Sequence, residues 1–336
     1  MTSKAILAAV AALALLAGGK TLDIYFIDVE GGQATLIVTP AGKSLLVDSG
    51  YPGLMGRDPD RIMAAVRDAR LTRIDYLVIT HLHEDHNGGA AELSRRIPIG
   101  TFVDYGSPVE NTKEVVAAFA DYEAARSRSR HLVPKPGDRL PLEGVTVDVV
   151  SADGAVLTEP LEGAGQRNAA CADFERPPDT RGENPRSISI RLRFGAFRFL
   201  DVGDLVAGKM ADLVCPANLI GEVDAYLVSH HANSDVSLPA VFAAIRPRVA
   251  VANNGPWKGA TPPTMTALHE LRNSTDVWQL HRTINYGAEN FPENFIANLE
   301  FEAADGASWI KLSATESGAF SVTNGRTGWT KNYAAR

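Results

Sequence analysis

The stretch Thr80-His81-Leu82-His83-Glu84-Asp85-His86 decides how this chain is read. It follows an apolar run, residues 74–79, with the character of a buried strand, and precedes Asn87-Gly88-Gly89, a turn leading into a helix. In an extended segment, residues two apart point the same way. His81 and His83 can therefore grip one metal from the same side. Asp85 and His86 lie where the chain turns and can aim at a second metal beside it. Imidazole and carboxylate suit zinc and related divalent ions. A strand–turn–helix setting is where such spacing carries chemistry rather than decorating a surface turn.

The H-x-H-x-D-H pattern at His81, His83, Asp85 and His86 resembles the signature of the metallo-β-lactamase-fold hydrolases. Two earlier segments resemble the exported metallo-β-lactamase domain of ComEC-type competence proteins. Asp28-Val29-Glu30-Gly31-Gly32-Gln33-Ala34 is similar to that family's D-V-G-Q-G-D-A turn, departing at Glu30, Gly31 and Gln33, and Val47-Asp48-Ser49-Gly50 is similar to its next turn. The resemblance covers residues 22–325. It implies an α/β fold, an αββα sandwich of two mixed β-sheets flanked by helices. It also implies that Asp48 supports the ligand loop from behind the metal ligands, against the plainer reading of a turn carboxylate.

The chain has 336 residues, 45% hydrophobic and 22% charged, enough for one large core or two small ones. Lys4, an apolar run over 5–17 and Gly18-Gly19 read as a secretory signal peptide over residues 1–19. That run is short for a membrane span, and no other stretch is long and apolar enough for one. Residues 20–336 are then one hydrolase domain, periplasmic or secreted. Export implies an oxidising compartment. There Cys171 and Cys215 can pair, unless one binds metal or both stay inert. A net charge of −7 argues against a protein that tracks nucleic acid by bulk electrostatics, though it does not describe a cleft.

Apolar runs at 24–29, 34–38 and 45–47, divided by Gly31-Gly32 and Pro40-Ala41-Gly42-Lys43, predict a β-meander. Helices are expected at 58–70, 89–96 and 109–130, the last turning Val115, Val116, Phe119 and Tyr122 inward. Residues 151–186 lose all periodicity and form an irregular insertion able to fold over the site. Strands resume at 187–194 and 197–202, and a terminal hairpin is expected at 307–323.

A two-metal hydrolase needs more ligands than one loop supplies. The resemblance implies where they lie. Gly203-Asp204 matches the family's L-x-G-D turn, whose aspartate bridges two metals. Val228-Ser229-His230-His231-Ala232-Asn233-Ser234 is similar to its S-H-H-G-S segment, one histidine of which closes the second metal's shell. His230, continuing the strand, is the expected ligand, with His231 orienting it or facing substrate; the reverse assignment is the alternative. The histidine that usually precedes the hairpin strand is missing, since none lies between His131 and His230. Asn184 or Glu183 stands near its place, and ComEC-like domains also carry Asn there. The first site is then weaker, completed by water or an oxygen ligand that eases manganese or magnesium over zinc. The family's later Gly-His-Pro segment is replaced by Asn253-Asn254-Gly255-Pro256-Trp257-Lys258-Gly259. Lys258 becomes a candidate for neutralising a phosphate and His281 a candidate replacement imidazole, against plainer readings as a solvated lysine and a packed histidine.

The expected function is an exported metal-dependent hydrolase holding one or two divalent ions, zinc foremost. Asp85 and Asp204 would position a metal-activated water, so no serine or cysteine triad is required. The resemblance points to a phosphodiester or other small-molecule substrate. Lactam, lactone or ester hydrolysis is the alternative within the same chemistry. A metal- or partner-binding module without turnover is the alternative outside it.

Overall fold

The computed structural model describes residues 20–172, 174–236, 239–300 and 307–336. The signal-peptide expectation for residues 1–19 lies outside them. Six strands follow one another side by side: β1 (Leu22–Phe26), β2 (Thr35–Val38), β3 (Ser44–Val47), β4 (Ile74–Val78), β5 (Ile99–Val103) and β6 (Arg130–Leu132). The first three form the antiparallel meander. From β3 onward they run parallel, because helices cross over between them. The crossovers are α1 (Arg57–Asp68), α2 (Glu84–Asn87) with α3 (Ala90–Arg96), and α4 (Lys113–Arg126).

The second sheet takes β7 (Arg139–Leu140), β8 (Thr146–Ala152) and β9 (Ala155–Val156), then β11 (Ser189–Phe194), β12 (Phe197–Asp201), β14 (Ala225–Leu227), β15 (Val249–Ala252), β16 (Asp276–His281) and β17 (Ile296–Asn298). Between them β10 (Gln166–Arg167) and β13 (Ala217–Asn218) pair only with each other. The chain then returns to the first sheet through β18 (Ile310–Ala314), β19 (Phe320–Asn324) and β20 (Thr330–Tyr333), with β18 against β1. Each sheet thus has nine strands among the described residues.

Period-two alternation sets which side of the second sheet meets which layer. Phe199, Leu227, Val251 and Trp278 join the core shared with the first sheet, where Phe26 meets Phe199 edge to face at 5.7 Å. Their neighbours Leu200, Tyr226, Ala250 and Val277 join the other core, beneath α5 (Ala207–Val214), α6 (Pro239–Ile245) and α7 (Pro262–Glu270). The αββα sandwich of two mixed sheets is therefore the observed architecture.

Two expectations are corrected. The helix expected from 109 begins at Lys113, with the Thr112 hydroxyl accepting from Val115 N, and Val116 faces solvent. Residues 109 and 110 are used elsewhere: their amides donate to the buried Glu183 carboxylate. The insertion 151–186 does not cover the cleft as a whole. Residues 166–171 are pinned on the helical side by the β10–β13 ladder, by Asn168 donating to Val214 O and Ala240 O, and by a Cys171–Cys215 disulfide. The disulfide settles the alternatives left open for the two cysteines. No helix among the described residues is long and apolar enough to cross a membrane.

Candidate metal centre

The candidates in residues 81–86, Asp204, His230 and His231 lie just past the C-terminal ends of strands, whereas Asn184 precedes β11 and His281 ends β16. β4 runs into residues 80–86, β12 ends three residues before Asp204, and β14 ends before Ser229-His230-His231. Open α/β sheets place their sites at such carboxyl ends. His83 keeps an extended backbone (φ −79°, ψ 152°) at the start of α2, so His81 and His83 share a side, with His81 Nε2 3.0 Å from His83 Nδ1. The turn of α2 then carries Asp85 and His86 into the neighbouring cluster.

One carboxylate oxygen, Asp204 Oδ2, sits at the centre. The Nε2 atoms of His86 and His231 each lie 3.4 Å from it, His230 at 3.6 Å and His81 at 3.8 Å. Asp85 Oδ2 approaches His86 Nε2 at 3.1 Å and His231 Nε2 at 3.2 Å. Asp85, His86, Asp204 and His231 are all buried and offer four ligand atoms within 4.8 Å of one another.

His231 stands beside both Asp85 and Asp204, and His230 also approaches Asp204, a geometry that fits the alternative assignment, with His231 beside Asp85 and His86, rather than the expected one. The expectation continued the strand direction past β14. The chain instead turns left-handed through His230, His231 and Ala232, at φ 51°, 55° and 62°. Adjacent rings then splay, with centroids 6.0 Å apart and planes 63° apart. His230 faces Asn184, whose Nδ2 lies 3.3 Å from its Nε2. Asn184 Oδ1 is buried without a hydrogen-bond partner, so Asn184 retains an oxygen to offer. Glu183 is committed elsewhere, accepting from Val109 N, Glu110 N and the Tyr105 hydroxyl.

His281 is not in this cluster. β16 lies three strands from β12 in the sheet, which sets His281 against Asp28, its Nε2 3.4 Å from Asp28 Oδ2. Lys258 does reach the site: its Nζ donates to Asp85 Oδ2 at 2.5 Å and to the Tyr51 hydroxyl at 3.2 Å.

Groups behind the ligands orient them. Asp48 Oδ2 lies 2.7 Å from His86 Nδ1, and the same carboxylate accepts from Thr80 N and Thr80 Oγ1. The His86 Nδ1–H donates to Asp48, which turns Nε2 toward Asp204; burial lowers His86, but Asp204, Asp85 and Asp48 outweigh it and hold its ring well above the usual imidazole value. Glu110 Oε2, 3.3 Å from His83 Nε2, plays the same part for His83. Gln33 joins the sheets, its amide N donating to Asp85 O and its side chain to Asp201. Sequence reasoning missed Glu110 and Gln33, because no spacing rule ties a loop residue to a motif 27 or 52 positions away.

Burial alone would raise the Asp85 and Asp204 carboxyls. The imidazoles beside them, His86 for Asp85 and His231 with His86 for Asp204, hold both well below the usual carboxylate range. Burial, with His86 nearby, pushes His81 well below its usual value, which favours the neutral, ligating form. His86 Nε2, both ring nitrogens of His231 and Asp204 Oδ1 are buried with no hydrogen-bond partner. Such atoms are otherwise nearly always paired. Ionised carboxylates among unpartnered imidazole nitrogens fit a divalent cation.

The chain is similar in part to known proteins. The family model "Metallo-beta-lactamase superfamily" matches residues 27–166, which include β2, β3 and the histidine loop. A coenzyme F420H2 oxidase from Methanothermobacter marburgensis is 28% identical over 129 residues, covering 38% of this chain and 28% of the oxidase. A protein named UPF0173 metal-dependent hydrolase, from Polynucleobacter asymbioticus, is 29% identical over 219 residues, covering 63% of this chain and 65% of that protein. Among solved structures, a mutant of the CmlA β-hydroxylase of Streptomyces venezuelae aligns with TM-score 0.47 at 16% identity, over 83% of this chain and 58% of that one. The matched segment carries β2 to β6 of the first sheet, the histidine loop and the opening strands of the second sheet, and the rest of the chain completes the sandwich: this chain has the metallo-β-lactamase fold.

Proposed function

We propose that this chain is a metal-dependent hydrolase with a two-ion centre shared by both sheets. The observation that carries this reading is the set of four imidazole Nε2 atoms within 3.8 Å of Asp204 Oδ2. His81, His83 and His230 would hold one ion, and Asp85, His86 and His231 the other, with Asp204 between them. The tandem pair would thus supply both the closing ligand of the second site and the histidine missing from the first. A divalent metal held there supplies a water of lowered pKa and draws charge from the attacked oxygen.

The chain's own residues do the positioning. Asp48 and Glu110 fix the His86 and His83 rings. Lys258 stands at the edge of the site; burial would strip its charge, but Asp85 and then Tyr51 beside it raise it, so it remains a cation. A fixed cation next to the ligands supports an anionic substrate, and a phosphodiester is the reading taken. The Cys171–Cys215 disulfide supports export, because disulfides persist in oxidising compartments.

Zinc titration of protein purified without metal tests the centre apart from turnover. Two equivalents are expected for the wild type, about one after His230→Ala or His231→Ala, and none tightly bound after Asp204→Ala. Hydrolysis of an aryl phosphodiester, set against a chromogenic β-lactam and a lactone, tests the substrate class. Faster lactam or lactone cleavage would sink the phosphodiester reading. Full metal loading with no turnover on any of them would leave a binding module. Iron content with oxygen uptake would move the reading toward the chemistry named for the similar oxidase.

A further inference from the structure

A second cavity, of about 520 Å³, lies away from the metal centre, on the helix-bearing face of the second sheet. It opens between β11, β12, the C-terminal end of α6 and residues 162–170. Arg191, in the middle of β11 and 2% exposed, is one of its walls. Arg191 Nη1 donates to Ile220 O at 2.7 Å and Nη2 to Asp148 Oδ2 at 3.0 Å, but Nε is buried with no hydrogen-bond partner. Asp148 is shared, since its other oxygen takes Arg139 at 2.9 Å. Burial, only partly relieved by Asp148 and worsened by Arg198 and Arg193, pulls Arg191 below its usual value.

Arg167, Arg198 and Arg246 line the same cavity, against Glu162 and Glu222. Arg246 meets Glu222 at 2.9 Å, and Glu222 is drawn on as well by Arg336 at 3.1 Å. Four guanidinium groups and two carboxylates thus line the cavity, with Asp148 holding Arg191 from outside it and Arg193 drawing on Glu162 at 3.0 Å, in a chain whose net charge is −7. The volume lies within the usual range for small-molecule sites, about 300–1,000 Å³. The cavity is also held in shape. The β10–β13 ladder, Asn168, Asn218 donating to Ala244 O, and the Cys171–Cys215 disulfide fix its walls, and none of them serves the metal centre.

We propose that this cavity is a second binding site, for a small molecule bearing oxyanions, a polycarboxylate or a phosphate ester. Guanidinium forks match carboxylate and phosphate oxygens in geometry as well as charge. Arg191 lines the cavity with a guanidinium held by Ile220 and Asp148, and Arg167, Arg198 and Arg246 line it with further guanidinium groups.

Calorimetric titration and thermal melting of the full chain with inorganic phosphate and with citrate test this, using chloride at matched ionic strength as the control. Saturable binding and a dose-dependent rise in Tm are expected. A response to citrate alone identifies the ligand as a carboxylate, and one to phosphate alone as a phosphate ester. The double variant Arg198→Ala/Arg246→Ala should weaken binding at least tenfold, and Ala243→Trp, which fills the mouth, should do the same while leaving both arginines in place. Lys258→Ala, at the metal centre, should leave the affinity unchanged. The proposal is overturned if wild-type protein shows no response up to about 50 mM of either anion. It is equally overturned if the response survives both pocket variants, or is lost in Lys258→Ala.

Discussion

Asp48 shows what a single carboxylate does at this centre. It is fully buried, sits at φ 61°, and binds Thr80 and His86 together. Asp48→Asn keeps the shape but loses the charge that holds the His86 Nδ1 proton. Metal affinity should fall roughly 10–100-fold, as for other groups that orient metal-bound histidines, and competition against a chromogenic chelator measures it. Asp48 was legible in the sequence because it belongs to a motif. The roles of His230 and His231 were not, because they depend on a left-handed turn that no strand periodicity foretells. Non-glycine residues in that region cost on the order of 1 kcal/mol each and gather at functional sites.

The Asp28–His281 pair yields a second prediction at this scale. Burial raises Asp28 to about 7 and lowers His281 to about 4. Asp28 binds its proton more readily folded than unfolded, so its contribution is present at low pH and lost as pH climbs toward 7. His281 binds its proton less readily folded, so its contribution is lost as pH falls from about 6.5 to 4. The two slopes oppose, and stability due to the pair should be nearly flat from pH 4 to 6.5. Relative to wild type, Asp28→Asn should gain stability with rising pH across this window, and His281→Gln should lose it, each by on the order of 2–3 kcal/mol. Urea unfolding at several pH values reads this directly; parallel curves for the two variants would refute it.

At the scale of elements, the strands and helices that follow simple periods were legible, and the departures have local causes. Val116 reads as inward from its neighbours, yet α4 turns Val115, Ala118, Tyr122 and Ala125 to the core instead. The segment 151–186 has no period because its order comes from side-chain-to-backbone bonds and a disulfide rather than from a buried stripe. That link spans 44 residues. In the chain-entropy view, a loop of this length is worth about 4 kcal/mol at most, with 2–4 kcal/mol typical. Cys171→Ser/Cys215→Ser should therefore lower stability by about 2–4 kcal/mol, measured by denaturant unfolding. Limited proteolysis should then cut first between residues 160 and 182. Cleavage elsewhere first would mean that the ladder and Asn168 hold this segment without the link.

At the scale of the whole molecule, the centre lies where the two sheets meet. His81, His83, Asp85 and His86 come from the first sheet, while Asp204, His230 and His231 come from the second. The sandwich core holds the sheets together from below, and Gln33 spans the gap beside the ligands. A cation held by both sets is a further tie between sheets. Without it, ionised Asp85 and Asp204 depend on imidazoles and Lys258 alone. A ligand that binds only the folded state at a thousandfold excess over Kd stabilises it by about 4 kcal/mol. Chelation should therefore lower Tm by several degrees, and zinc should restore it. In Asp204→Ala the same treatment should change Tm little, since the residue between the two ions is gone. If wild-type protein melts at one temperature with and without chelator after complete metal removal, no cation ties the sheets together, and the residues around Asp204 need another explanation.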